Sequence, residues 1–388
     1  MRRCEVAVVG LGLMGAAACY ALARRKADVL GFDPLQVGEA RGSSHGSCRI
    51  YRRLNFESPA YTALSDQALS GWKALEEYSG ATILMDCPLL EAGPSGSSLV
   101  RESRAAGLTA GAPDGTMTGA EANALFPAFD LPKDWDVVVQ NSGGILLAEA
   151  ALRAFRNAAG SRIIQDFARL EPTPAGVRVR TSGEDVMADK VIVAAGPWIA
   201  DFFPELRPHL TVTRQVVGWF RPVTPDTVSL GRFPLFILDG PHGCIYGFPD
   251  FEGRGVKAAQ HDHGPAAGSD DWGIVPTDEE LGPVGATLAR FIPAAAGPIV
   301  ARDVCLYTNT RAADVRIDGG EEFIVDRLPQ DPRIIVASPC SGHGAKFASA
   351  IGEILADLAL DHRVQPDPAF RLDRFSSFGS RQAAIVPI

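Results

Sequence analysis

The sequence predicts an α/β fold, α+β overall, in which a helix-flanked parallel sheet is interleaved with an antiparallel sheet. Three observations carry this. Residues 5–9 and 29–32 read as short apolar strands on either side of an Ala/Leu-rich helix, the arrangement of a parallel sheet. Residues 211–220, 234–238, 244–248 and 255–261 are strand-like runs with only turn residues between them, the pattern of an antiparallel sheet. The length, 388 residues with 46% hydrophobic and 21% charged, suffices for two or three units with a large core.

Taken in order, residues 16–26 form the first helix, and 59–80 an amphipathic helix followed by a strand region at 81–93. Thr118-Gly-Ala-Glu121 is a capping box that opens a helix, and Thr277-Asp-Glu-Glu280 is a second one, starting a helix that reaches Phe291. Residues 136–140, 177–181, 186–195, 323–326 and 333–337 pattern as strands. Residues 148–159 are helical, and a long helix runs from the 341–347 segment through Leu360. Gly196, in Ala194-Ala-Gly-Pro-Trp198, serves either a plain turn or a close backbone approach to a ligand.

Charge and cysteine usage narrow the function. A formal net charge of −9 argues against a broad nucleic-acid-binding surface. Seven dispersed cysteines, with no CxxC pair, argue against a disulfide framework or zinc module and fit a reducing cytoplasm. The uncharged run 6–23 behind Arg2 and Arg3 has the look of a signal peptide or anchor. Gly10, Gly12 and Gly15 interrupt it, each costing a helix about 1 kcal/mol relative to Ala, and a further strand follows. No membrane partner is expected.

Gly10-Leu-Gly12-Leu-Met-Gly15 lies between the first strand and the first helix, and Asp33 closes the second strand. This is the Rossmann-like dinucleotide fingerprint in context. The glycines permit a tight turn, backbone approach to a pyrophosphate and close helix–strand packing, while the acid binds a ribose hydroxyl. It does not separate NAD from FAD. The polar segment Arg41-Gly-Ser-Ser-His-Gly-Ser-Cys-Arg-Ile-Tyr-Arg-Arg53 follows. It is either a solvated basic loop or a cationic site, with Arg49 and Arg52 on one face if its end is helical.

Several pieces together match a known family: Val8-Val-Gly-Leu-Gly-Leu-Met-Gly15, Gly42-Ser-Ser-His-Gly-Ser-Cys-Arg-Ile-Tyr-Arg52, Asn141-Ser-Gly143 and Arg214-Gln-Val-Val-Gly218. Tyr246-Gly-Phe-Pro249, Gly255-Val-Lys257 with His261, Cys305-Leu-Tyr-Thr308 and Ser341-Gly-His-Gly-Ala-Lys-Phe347 complete the set. The chain resembles the monomeric sarcosine oxidase and N-methyltryptophan oxidase group, flavoproteins of the wider D-amino-acid-oxidase-like fold. The resemblance implies an FAD-binding domain assembled from residues 1–85, 146–212 and 305–388, and a substrate domain from 86–145 and 213–304. It also implies FAD bonded covalently from its 8α carbon to a cysteine sulfur at Cys305, with Cys340 the less favoured candidate.

The reaction the resemblance implies is oxidation of an N-methyl or cyclic secondary amino acid. A hydride equivalent passes from the C–H beside nitrogen to flavin N5, giving an imine, and O2 is reduced to H2O2. Arg52 and Lys346 would clamp the substrate carboxylate. On a strand, Lys257 and His261 point the same way across Ala259, into one pocket or, on an edge strand, into solvent. By resemblance Lys257 lies near flavin N5 and stabilises superoxide, and His261 borders the substrate. Gly342, His343 and Gly344 would approach the flavin's pyrimidine end from a helix N-terminus. His45 and Arg49 would lie along the flavin, and Tyr307 and Tyr246 would line the pocket.

His261-Asp-His263 lacks a third metal ligand, so no metal is expected. The expected partners are a small carboxylate-bearing amine and O2, in a monomer or small homo-oligomer. Two departures from the family pattern bear on substrate choice: the acidic, glycine-rich segment 311–322, and small residues at Ala345 and Cys340. The alternatives are a dehydrogenase of the same fold and an NAD-binding or nucleotide-sensing protein.

Overall fold

The computed structural model describes residues 1–57, 60–111, 115–159, 162–261, 264–311 and 322–375. Its first sheet is built around Arg2–Val9, which pairs in parallel with Val29–Phe32 on one edge and Asp185–Val193 on the other. The long strand Asp185–Val193 divides its far edge. Val186 and Ala188 face the antiparallel strand Gly176–Arg180, while Val191 to Val193 pair in parallel with Asp331–Ser338. The paired stretches 6–9, 29–32 and 191–193 of these central strands are apolar and buried on both faces, as a helix-covered parallel sheet requires.

Leu13–Arg24 packs against Ala148–Ala159 and Ala348–Leu360 on one face. Small residues allow the close crossing: a Cβ added at Gly352 would meet the Ala17 backbone at 2.6 Å. The first helix starts at Leu13, three residues before its expected start, so Gly15 sits in its first turn. A Cβ there would meet the Gly10 carbonyl oxygen at 1.8 Å, which excludes any other residue.

The second sheet has eight strands and is antiparallel except where Leu89–Gly93 runs parallel to Leu235–Gly240. Its longest members are Leu210–Phe220 and Ile299–Thr310, and the second of these was not recognised as a strand from sequence. Both run unbroken through the expected segment boundaries at 212 and 305. Both capping boxes form as expected, with the Thr118 and Thr277 hydroxyls accepting from the Glu121 and Glu280 N–H groups. A small third sheet joins Cys48–Tyr51, Gly144–Leu147 and Leu84–Asp86. Among the described residues no helix is long and apolar enough to cross a membrane.

Candidate active site

The glycine turn at 10–15 is held by contacts that a larger residue would break. Gly10 has φ +84°, and a Cβ on it would meet the Ala194 carbonyl oxygen at 2.5 Å. The first helix has no acidic residue in its opening turn, so its positive end remains available to an anion. Asp33 is buried beside this turn. It accepts from Leu11 N at 2.6 Å, Leu35 N at 2.7 Å and Arg156 Nη2 at 2.9 Å. Burial pushes its pKa up, and Arg156 and the two N–H groups oppose this. Three donors to a carboxylate with about four acceptor sites leave room for a ribose hydroxyl.

The opposite end of the site is a sheet face. Cross-strand register sets Lys257 beside both Trp219 and Phe248, and Ala259 beside Val217 and Tyr246. Asp303 lies opposite Val217, and strand alternation brings Cys305 and Tyr307 to the same face. Lys257 is buried, with Nζ 5.4 Å from the Trp219 ring centre and 5.0 Å from that of Phe248. Burial lowers its pKa. His261 follows the strand Val256–Gln260 directly and faces the rings of Tyr246 and Tyr307, at 6.4 and 6.2 Å. Burial pushes the Tyr246 hydroxyl, which is hydrogen-bonded to Tyr307, up to about 12.

Cys305 Sγ lies 3.8 Å from Arg49 Nη2, and burial raises its pKa against the pull of that guanidinium. Arg49 donates to the carbonyls of Ser43, His45 and Cys48, while His45 Nε2 meets the Val304 carbonyl at 2.6 Å. The cationic segment is therefore folded in, not solvated. Its end is a strand, Cys48–Tyr51, which pairs with Gly144–Leu147, so the condition under which Arg49 and Arg52 would share a helical face is not met.

Arg52 and Lys346 converge although 294 positions separate them, and both are buried. Arg52 is not an open fork. It pairs with Glu57 and, at 3.5 Å, with Glu91, and it stacks on Phe56 at 3.9 Å. Burial alone would raise the Glu57 carboxyl, but Arg52 and Lys346 overturn this and hold it far below the usual carboxylate range. Lys346 Nζ donates to the His343 carbonyl at 2.9 Å. The His343 ring stacks on Phe323 at 4.8 Å.

The backbone at 342–344 forms a tight turn on the cavity wall. The N–H groups of His343 and Gly344 both close onto the Cys340 carbonyl in a tight turn, and the helix Ala348–Leu360 is preceded by a 3₁₀ turn, Gly344–Phe347. Those two donors are engaged within the turn, and the α-helix itself begins only at Ala348, while Gly342, His343 and Gly344 line the cavity. Gly342, at φ +74°, lies so near Tyr307 that a Cβ would meet its ring at 2.6 Å.

One cavity of about 660 Å³ connects these parts, lined by Gly10, Gly12, Asp33, His45, Arg49, Arg52, Tyr246, Lys257, His261, Cys305, Tyr307, Cys340, Gly342, His343, Gly344, Ala345 and Lys346. It runs from Asp33 to the aromatic sheet face, a shape and donor set that fit a flavin dinucleotide. The chain matches the family described as DAO, FAD dependent oxidoreductase, over residues 5–358.

The chain belongs to this family.

It is 32% identical over 378 residues to a monomeric sarcosine oxidase from Bacillus sp. (strain B-0618), covering 94% of each chain. It is 30% identical over 385 residues to N-methyl-L-tryptophan oxidase from Yersinia pestis (strain Pestoides F), covering 96% of this chain and 99% of that one. The open form of NikD, an amino acid oxidase essential for nikkomycin biosynthesis, superposes with a TM-score of 0.81 at 20% identity, covering 95% and 96%. Membership in the FAD-dependent oxidoreductases settles the flavin-or-nicotinamide choice that the glycine motif left open.

Sequence reasoning missed several residues of this FAD-family site. Arg156, Glu57, Glu91, Phe56 and Trp219 each meet a predicted residue from a distant or unsuspected segment, and Gln140 reaches Arg52 only through Glu91. Only Arg156, an arginine on the otherwise apolar face of a helix, left a local trace. Of the 311–322 segment, residues 312–321 lie outside the described residues, as does His263. Its far end is fixed: Tyr61 donates to Glu322 Oε2 at 2.6 Å and lies 5.0 Å from the His343 ring.

Proposed function

We propose that this FAD-dependent oxidoreductase is an oxidase of a secondary amino acid, N-methyl or cyclic. The observation that carries the reading is the convergence of Arg52, Lys346 and Lys257 on the cavity that also contains the glycine turn and Asp33. Bound FAD supplies two-electron chemistry, taking a hydride equivalent from the C–H beside nitrogen and passing the electrons to O2 as H2O2.

The protein's own groups divide the remaining work. Arg52 and Lys346 hold the carboxylate, which orients the adjacent C–H. Tyr246, Tyr307, Trp219 and Phe248 exclude water around Lys257. Lys257 supplies a buried positive charge where negative charge develops on oxygen, and low dielectric strengthens that attraction. His261 gives the substrate a polar border. Cys305 is the proposed point of covalent attachment, supported by its place on the Lys257 face of the sheet and its contact with Arg49. The division into 1–85, 146–212 and 305–388 for FAD, with 86–145 and 213–304 for substrate, is part of the same proposal, as is a cytoplasmic location.

The deciding experiment supplies the purified yellow protein with a panel of N-methyl and cyclic amino acids under air. Peroxide produced in step with amine consumption supports the reading. Reduction of the flavin by these amines without peroxide identifies a dehydrogenase, and no reduction by any of them sinks the substrate class.

A further inference from the structure

Arg52 lines the cavity, but neither carboxylate bound to it does. Glu57 and Glu91 approach the guanidinium from behind, on Nη2 and Nη1. They differ in support. Glu57 sits in a loop, whereas Glu91 is fully buried on Leu89–Gly93, a strand inside the eight-stranded sheet. Gln140, on the neighbouring strand Asp136–Gln140, donates to Glu91 Oε2 at 2.8 Å. The same Gln140 amide brackets Leu54, accepting from its N–H at 3.0 Å and donating to its carbonyl at 3.3 Å.

We propose that Glu91, oriented by Gln140, is a positioning residue that fixes Arg52 so that the outward face of its guanidinium meets a substrate carboxylate. A buried acid with no route to the cavity has a high desolvation cost, and here its placement is explained by the cation it holds. Burial raises the Glu91 pKa against the attraction of Arg52 and the bond from Gln140. An acceptor oxygen for Nη1 is present in either protonation state. The inference rests on the secondary-amino-acid reading and adds the device that makes Arg52 specific for an anion.

The test compares holoenzyme carrying Glu91→Met, which removes the acceptor at similar volume, with the unaltered protein. Two readouts are taken: the perturbation of the flavin absorbance by propionate, and steady-state oxidation of an N-methyl amino acid against its neutral carboxamide. Glu91→Met is expected to weaken propionate and raise KM for the acid about tenfold or more, with kcat and the kinetics of the carboxamide nearly unchanged. Glu91→Gln, which keeps an acceptor oxygen, is expected to fall closer to the unaltered protein.

Equal losses for acid and carboxamide, or propionate binding within twofold of the unaltered protein, overturn the proposal. If Glu91→Met fails to retain flavin, Gln140→Met decides by the same readouts, with a smaller loss in the same direction expected and no selective loss overturning it. If propionate leaves the unaltered flavin spectrum unmoved, the carboxylate reading itself fails, and the inference with it.

Discussion

Lys257 Nζ donates to the Cys48 carbonyl at 3.2 Å and lies 3.6 Å from Cys48 Sγ, joining the middle of the antiparallel sheet to an edge strand of the three-stranded sheet. The ammonium is thereby fixed above two aromatic rings. Such a charge is poised to act on an anion that forms nearby.

Lys257→Met is therefore expected to slow the reaction of the reduced protein with oxygen by about 10²-fold or more, while reduction by substrate changes far less. Stopped-flow traces of the two half-reactions check this. Equal slowing of both contradicts it.

The lowered Lys257 pKa gives a pH dependence of definite sign. The ammonium is present below its folded-state pKa and lost above it, so oxygen reactivity falls as pH rises through a value below the usual 10.5. The Lys257→Met protein should show a flat profile over the same range.

Cys305→Ala is expected to release flavin on acid precipitation, with fluorescence in the supernatant and none on the denatured polypeptide. Cys340→Ala should keep it attached, since Cys340 Sγ is turned to the Thr308 N–H at 3.4 Å. The reverse result transfers the attachment to Cys340.

Lys346→Met tests the clamp more cleanly than a change at Arg52, which would strand two buried carboxylates. KM for the amino acid should rise about tenfold or more, in line with losing one charge-assisted contact, while the neutral carboxamide is affected little.

Arg156→Leu removes a clasp that donates to the Leu11 and Leu35 carbonyls, at 2.9 and 2.8 Å, as well as to Asp33. Breaking this nearly buried pair should lower stability by about 3 kcal/mol and reduce FAD content as purified. Urea titration and the ratio of flavin to protein absorbance measure both effects.

The nucleotide end was legible in the sequence because its parts are contiguous: the glycine turn, the helix behind it and Asp33 lie within 24 residues. The capping boxes were legible for the same reason, each being a four-residue device. The strand Ile299–Thr310 was missed as a strand although its Cys305 motif was recognised. The conformation of Cys48–Tyr51 was left open by its own residues, because its strand partner, Gly144–Leu147, lies nearly a hundred positions away.

The chain's order of residues alone determined the nucleotide fingerprint, the alternation of sheet types and the family, since each is written in local spacing or in an ordered set of short motifs. Folding in three dimensions decided the state of Arg52. Glu91 and Gln140 stand 39 and 88 positions beyond it, and no periodicity links them. They meet because adjacent strands of one sheet bring them together behind a loop from another, and a buried charge takes its partners from whatever neighbours in space supply them.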